Sequence, residues 1–114
     1  MKAIKIDVEK QEIIEIELSH GLEPIYEAIG NECRCFSCPV MLPNLDTFYL
    51  DEEAFCYGLA YIRGGFSVLG NTFVNNAIIL GTVEEGGSID VKTTVEDIKK
   101  IISFHTVTEL FQLT

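Results

Sequence analysis

Apolar and polar positions alternate from the start of the chain. Ile4, Ile6 and Val8 are separated by Lys5 and Asp7, and a period of two sends such residues to opposite faces of a strand. Met1–Val8 is therefore expected to be a half-buried strand and Glu9–Glu12 a polar turn. Ile14, Ile16 and Leu18 then alternate with Glu15 and Glu17, which predicts a second strand and an antiparallel hairpin. Over Gly21–Gly30 the period changes. Leu22, Ile25, Tyr26 and Ile29 fall on one face of a short helix, with Pro24 in its first turn and Gly30 at its end.

Cys33–Leu42 reads as a strand that Pro39 either places at a sheet edge or ends early. Thr47–Asp51 and Phe55–Ile62 are the next strands, with Asp51, Glu52 and Glu53 as the acidic corner of a hairpin between them. Arg63-Gly64-Gly65 is a turn, Phe66–Leu69 a short strand and Gly70–Thr72 a loop. Within Phe73–Val83, Ala77-Ile78-Ile79-Leu80 is apolar on both faces, as a central strand covered on both sides would be. A second helix starts at Thr93, which forms a capping-box pair with Glu96. Val95, Ile98, Ile101 and Ile102 form its apolar face, and Ser103–Thr108 alternates again as a last strand or ordered tail. These elements predict an α+β fold: a small mixed, mostly antiparallel sheet with two short helices, in one domain over residues 1–114.

Composition narrows the setting. The 114 residues are 47% hydrophobic, enough for a core without staples. Eighteen acids against eight bases give a net charge of −10, which disfavours direct nucleic-acid binding and anionic membranes. No apolar run approaches the roughly 20 residues of a membrane helix, and the N-terminus alternates instead of forming a signal-like block. A cytoplasmic protein with reduced thiols is expected.

Candidate chemistry is sparse. Cys33, Cys35, Cys38 and Cys56 do not have a standard zinc spacing, and along a strand Cys33 and Cys35 would face away from Cys38. Small core thiols are the better reading, and no metal or cofactor is expected. The acidic corner lacks the alternating oxygens and central glycine of a calcium loop. His20 and His105 stand apart from any nucleophile pattern, so no catalytic residue is assigned. The best ligand candidate is Arg63, Gly64 and Gly65 with Tyr57 and Tyr61: a guanidinium and backbone N–H groups for a small anion, and aromatic rings to stack on a base.

The start MKAIKIDVEKQEIIEIEL, the helix GLEPIYEAIG, the corner DTFYLDEEAF, the segment NAIILGT and the Thr-Val-Glu-Asp-Ile helix together resemble an uncharacterised family of small proteins encoded by bacteriophages, plasmids and gut-bacterial mobile elements. Two features depart from that pattern. Ala54 stands where the family has glycine, and SVLGNTFVNN replaces a proline-containing segment. The resemblance implies a cytoplasmic accessory protein and transfers no reaction. Together with the acidic surface it suggests a non-enzymatic module that binds a host protein or a small anionic ligand, with a homo-oligomer as one form it can take. One version is a counter-defence nucleotide sponge. The alternatives are an acidic inhibitor that imitates DNA, and a small enzyme with an unfamiliar site.

Overall fold

The computed structural model describes residues 1–30, 33, 35–53, 59–83, 85 and 87–112. The chain is α+β. Strands β1 (Lys2–Asp7), β2 (Glu12–Glu17), β3 (Phe36–Met41), β4 (Asp46–Asp51), β7 (Ala77–Thr82) and β8 (Ser88–Ile89) form one sheet. Its order is β2-β1-β7-β4-β3, with β8 beside the end of β7. Strands β5 (Gly65–Val68), β6 (Asn71–Val74) and β9 (Ile102–His105) form a second sheet in the order β6-β5-β9. Every pairing among the described residues is antiparallel. The mostly antiparallel pairing is as expected, and the described residues form two such sheets where one was expected. Among the described residues three helices accompany them: α1 (Leu22–Ile29), α2 (Val95–Ile101) and α3 (Val107–Gln112).

The large sheet is covered on both faces. On one side Ile4, Ile6, Ile13, Phe48, Leu50 and Ile79 meet Phe66 and Val68 of the small sheet and Ile98 of α2. Phe48 and Phe66 stack across this layer, 6.4 Å between ring centroids. On the other side Ala3, Tyr49, Ile78 and Leu80 meet Ile25 and Ile29 of α1. The run Ala77-Ile78-Ile79-Leu80 is fully buried between β1 and β4, as its two-sided apolarity required. Pro39 lies on the edge strand β3, at an irregularity in its pairing with β4.

The antiparallel hairpin β1–β2 forms as expected, and the two-sided cover sorts its apolar residues. Ile6 pairs with Ile13 and Ile4 with Glu15, so Ile13 shares the face of Ile4 and Ile6. Ile14, Ile16 and Leu18 lie on the opposite face, where Ile16 and Leu18 pack towards α1 and Ile14 is exposed. Leu22, expected on the buried face of α1, is exposed as well.

Among the described residues the acidic corner does not join two paired strands, and the first half of the expected strand Phe55–Ile62 lies outside them. β4 pairs with β3 and β7, residues 54–58 lie outside the described residues, and Leu59–Tyr61 is a 3₁₀ turn instead of the end of a strand. The expected loop Gly70–Thr72 is a two-residue hairpin turn, Leu69-Gly70, leading into β6. Both turn residues have positive φ, 50° and 83°, the conformation that matches strand twist. The tail after β9 turns helical because Thr106 and Glu109 form a capping box: each side chain accepts from the other's backbone N–H, at 3.0 and 3.1 Å. At α2 the cap is one residue later than expected. Thr94 accepts from Asp97 N–H, and Thr93 is engaged elsewhere.

Candidate functional site

Thr93 belongs to a polar hub that sequence reasoning missed. Asp46 at the start of β4 is fully buried. Its carboxylate accepts from Lys92 N–H at 3.1 and 3.2 Å, from Thr93 N–H at 2.7 Å and from the Thr93 hydroxyl. The Asn44 amide adds a contact at 3.3 Å, and Asn44 Oδ1 takes the Asp46 N–H. Charge-assisted bonds of this kind are strong. They fasten the segment entering α2 to the central sheet, and every contact is internal, so the hub is structural. The Asn44-Leu45-Asp46 turn was the signal available in sequence; its partners 46 and 47 residues away were not.

The sequence-predicted ligand residues divide. Tyr57 lies outside the described residues. Tyr61 and Arg63 are exposed, whereas Gly64 and Gly65 are buried. Asn75 is buried and takes up the backbone here: its Oδ1 accepts Arg63 N–H at 2.8 Å, its Nδ2 donates to Tyr61 C=O at 3.0 Å, and its N–H donates to Gly64 C=O at 2.8 Å. A Cβ on Gly64 would stand 3.0 Å from the Val8 carbonyl oxygen and 3.2 Å from that of His105. On Gly65 it would stand 2.4 Å from the Phe73 carbonyl oxygen. The glycines therefore permit close backbone packing among carbonyl oxygens, whose partial charge repels an anion. The exposed guanidinium of Arg63 remains as the cationic element.

Thiols and acids meet below the corner. The Cys35 thiol donates to Glu52 Oε2 at 2.9 Å, and this bond is the main reason its pKa lies above the ordinary value. Burial, then the charge of Asp51, pushes the Cys33 thiol up to about 11. Both thiols are held neutral, the opposite of a nucleophilic cysteine. Asp51 is itself buried. Its Oδ1 accepts Glu53 N–H at 2.9 Å, while Oδ2 has no hydrogen-bond partner among the described residues. Cys38 is exposed, and Cys56 lies outside the described residues. Among the described residues no three histidine, cysteine or carboxylate groups stand together as metal ligands.

His105 meets a hydroxyl. Its Nε2 is 2.7 Å from Ser67 Oγ, which is 2.8 Å from Thr72 Oγ1. The nearby carboxylate of Glu109 is committed to Thr106, whose N–H and hydroxyl hold its pKa below the usual range. His20 borders a shallow groove with Asp90 and Lys92.

The remaining feature is the outer edge of β2. Among the described residues β2 pairs only with β1. Glu12, Glu15 and Glu17 on this strand are exposed. Beside it runs a groove of about 490 Å³, to which Ile13, Ile14, Ile102 and Phe104 contribute apolar surface and Lys99 a cation. The alternation EIIEIE marks the strand in sequence, but nothing local shows that it ends the sheet. No protein family, curated protein or solved structure matches the chain. No helix among the described residues is long and apolar enough to cross a membrane.

Proposed function

We propose that this protein is a non-enzymatic, acidic binding module that docks a basic partner protein on the outer edge of β2. The observation that supports this reading is the juxtaposition there of an unpaired strand edge, a row of exposed carboxylates and an apolar groove. Main-chain groups on such an edge supply affinity and side-chain pockets supply specificity. Charges at the rim steer the encounter. An accessory role in the cytoplasm, on a host protein, is the setting that the resemblance to mobile-element proteins implies. The nucleotide-sponge version would rest on the exposed Arg63, since the adjacent glycines face carbonyl oxygens.

The experiment is affinity capture with the native protein and with the double variant Glu15→Lys/Glu17→Lys. Both side chains are exposed, and their ion pairs to Lys2 and to the terminal ammonium are surface contacts of small energetic weight, so the variant folds. A direct partner is retained by the native protein, lost from the variant and released by salt. Retention of the same proteins by both would refute the assignment of the binding surface.

A further inference from the structure

The pairing of β1 and β2 fixes which groups the free edge offers. Met1 and Leu18 exchange both backbone bonds, the ammonium of Met1 donating to Leu18 C=O and Leu18 N–H to Met1 C=O. In an antiparallel ladder hydrogen-bonded pairs alternate with non-bonded ones. The register continues Lys2↔Glu17, Ala3↔Ile16, Ile4↔Glu15, Lys5↔Ile14 and Ile6↔Ile13. Ala3↔Ile16 and Lys5↔Ile14 are therefore the bonded pairs. Ile13, Glu15 and Glu17 turn their N–H and C=O groups outward. Lys2 confirms the phase, since its N–H goes to Asp90 and its C=O accepts from Val91, both away from β2.

The same three residues share one face of the sheet, that of Ile4 and Ile6. A strand bonded to them would place its own side chains directly opposite theirs. Glu15 and Glu17 call for cations. Ile13 opens on the groove with Ile102 and Phe104, where Lys99 rejects a basic residue and an apolar one fits. A second copy of β2 fits badly. Centred on Glu15 it would set Glu15 against Glu15 and Ile13 against Glu17, and like charges directly opposite are destabilising.

We propose, resting on the binding-module reading above, that β2 takes up an extended segment of its partner reading basic-x-basic-x-apolar. The segment adds antiparallel, the orientation of every other pairing in this sheet. Its two basic residues stand opposite Glu17 and Glu15, and its apolar residue stands opposite Ile13.

The test uses a labelled peptide containing Lys-Thr-Lys-Thr-Ile, read by fluorescence anisotropy and by amide exchange in NMR. Saturable, salt-sensitive binding is expected, with new protection at the amides of Ile13, Glu15 and Glu17. The amides of Ile14 and Ile16, already bonded to β1, should not change. Two control peptides separate strand addition from mere charge attraction. Lys-Lys-Thr-Thr-Ile keeps the composition and breaks the alternation; the other is N-methylated at the second lysine. The N-methylated peptide should bind about tenfold more weakly, the equivalent of one lost main-chain bond, and the scrambled one about two- to fivefold more weakly, that of one misplaced exposed ion pair. Absence of saturable binding, equal affinity for the controls, or protection away from these three amides overturns the proposal. A partner captured by the native protein but not by the double variant would, in that event, leave the binding-module reading standing.

Discussion

Removing the Asp46 carboxylate tests the account of how α2 is held on the sheet. In Asp46→Ala, Lys92 N–H, Thr93 N–H and the Thr93 hydroxyl lose the acceptor they now share. A hydrogen bond to a charged group is worth about 1.5–3 kcal/mol, and a buried donor left without a partner costs about 1–3 kcal/mol. The three donors converge on one carboxylate and are not independent, so their losses do not add fully. The expected destabilisation is about 3–5 kcal/mol, a large part of the roughly 5–15 kcal/mol available to a domain of this kind. Asp46→Asn keeps one acceptor oxygen but sets an amide against at least one donor, and should lose roughly 1–3 kcal/mol. Asp90→Ala is the control, because that carboxylate accepts Lys2 N–H at an exposed site; its loss should stay below about 1 kcal/mol. Urea unfolding with an unchanged slope measures all three. Hydrogen exchange should report lost protection at Lys92 and Thr93. An Asp46→Ala protein within about 1 kcal/mol of the native one would refute the assignment of a structural hub.

Three further outcomes follow from the packing and the titrating groups. Gly65→Ala should destabilise by about 1–3 kcal/mol, through overlap with the Phe73 carbonyl and Leu110. Gly70→Ala, whose φ is 83° with no atom within 4 Å, should lose only about 1 kcal/mol from backbone strain; thermal melts rank the pair. The Cys33 pKa is raised from 9.0 to about 11, so the folded state holds its proton longer than the unfolded one. Its contribution is complete below pH 9 and is lost as pH rises towards 11, so Cys33→Ala should flatten the alkaline limb of the stability profile. Glu109 has a lowered pKa, and its contribution is present above the unfolded value and lost as pH falls through the folded one. Glu109→Gln should therefore remove part of the acid sensitivity of α3, read as amide exchange at Leu110.

Local chemistry was legible wherever it acts on neighbours in sequence. The two-sided run Ala77–Leu80, the edge position of Pro39 and the end of α1 at Gly30 each follow from a few adjacent residues; the ψ of −165° at Gly30 departs from the left-handed helical cap that glycine usually provides there. So did the α+β class. The capping box Thr106–Glu109 was equally local and was overridden by the alternation of Ser103–Thr108, because a period of two over six residues cannot show where a strand stops. Arg63-Gly64-Gly65 showed the opposite failure. A glycine pair signals backbone freedom, but whether that freedom serves a ligand or close packing depends on what lies beside it, here the carbonyls of Val8, His105 and Phe73.

The sequence by itself determined the α+β class, the hairpin β1–β2, the central strand β7 and the helices α1 and α2, and a net charge of −10. The tertiary structure decided which strand ends the sheet, which face each hairpin residue takes, and which distant groups Asp46 and Asn75 hold. The reason is physical. Alternation sorts residues into two faces without saying which is covered, and in this fold both are. Register and edge position are properties of pairings between remote segments, set only when α1, α2 and the second sheet close over the first.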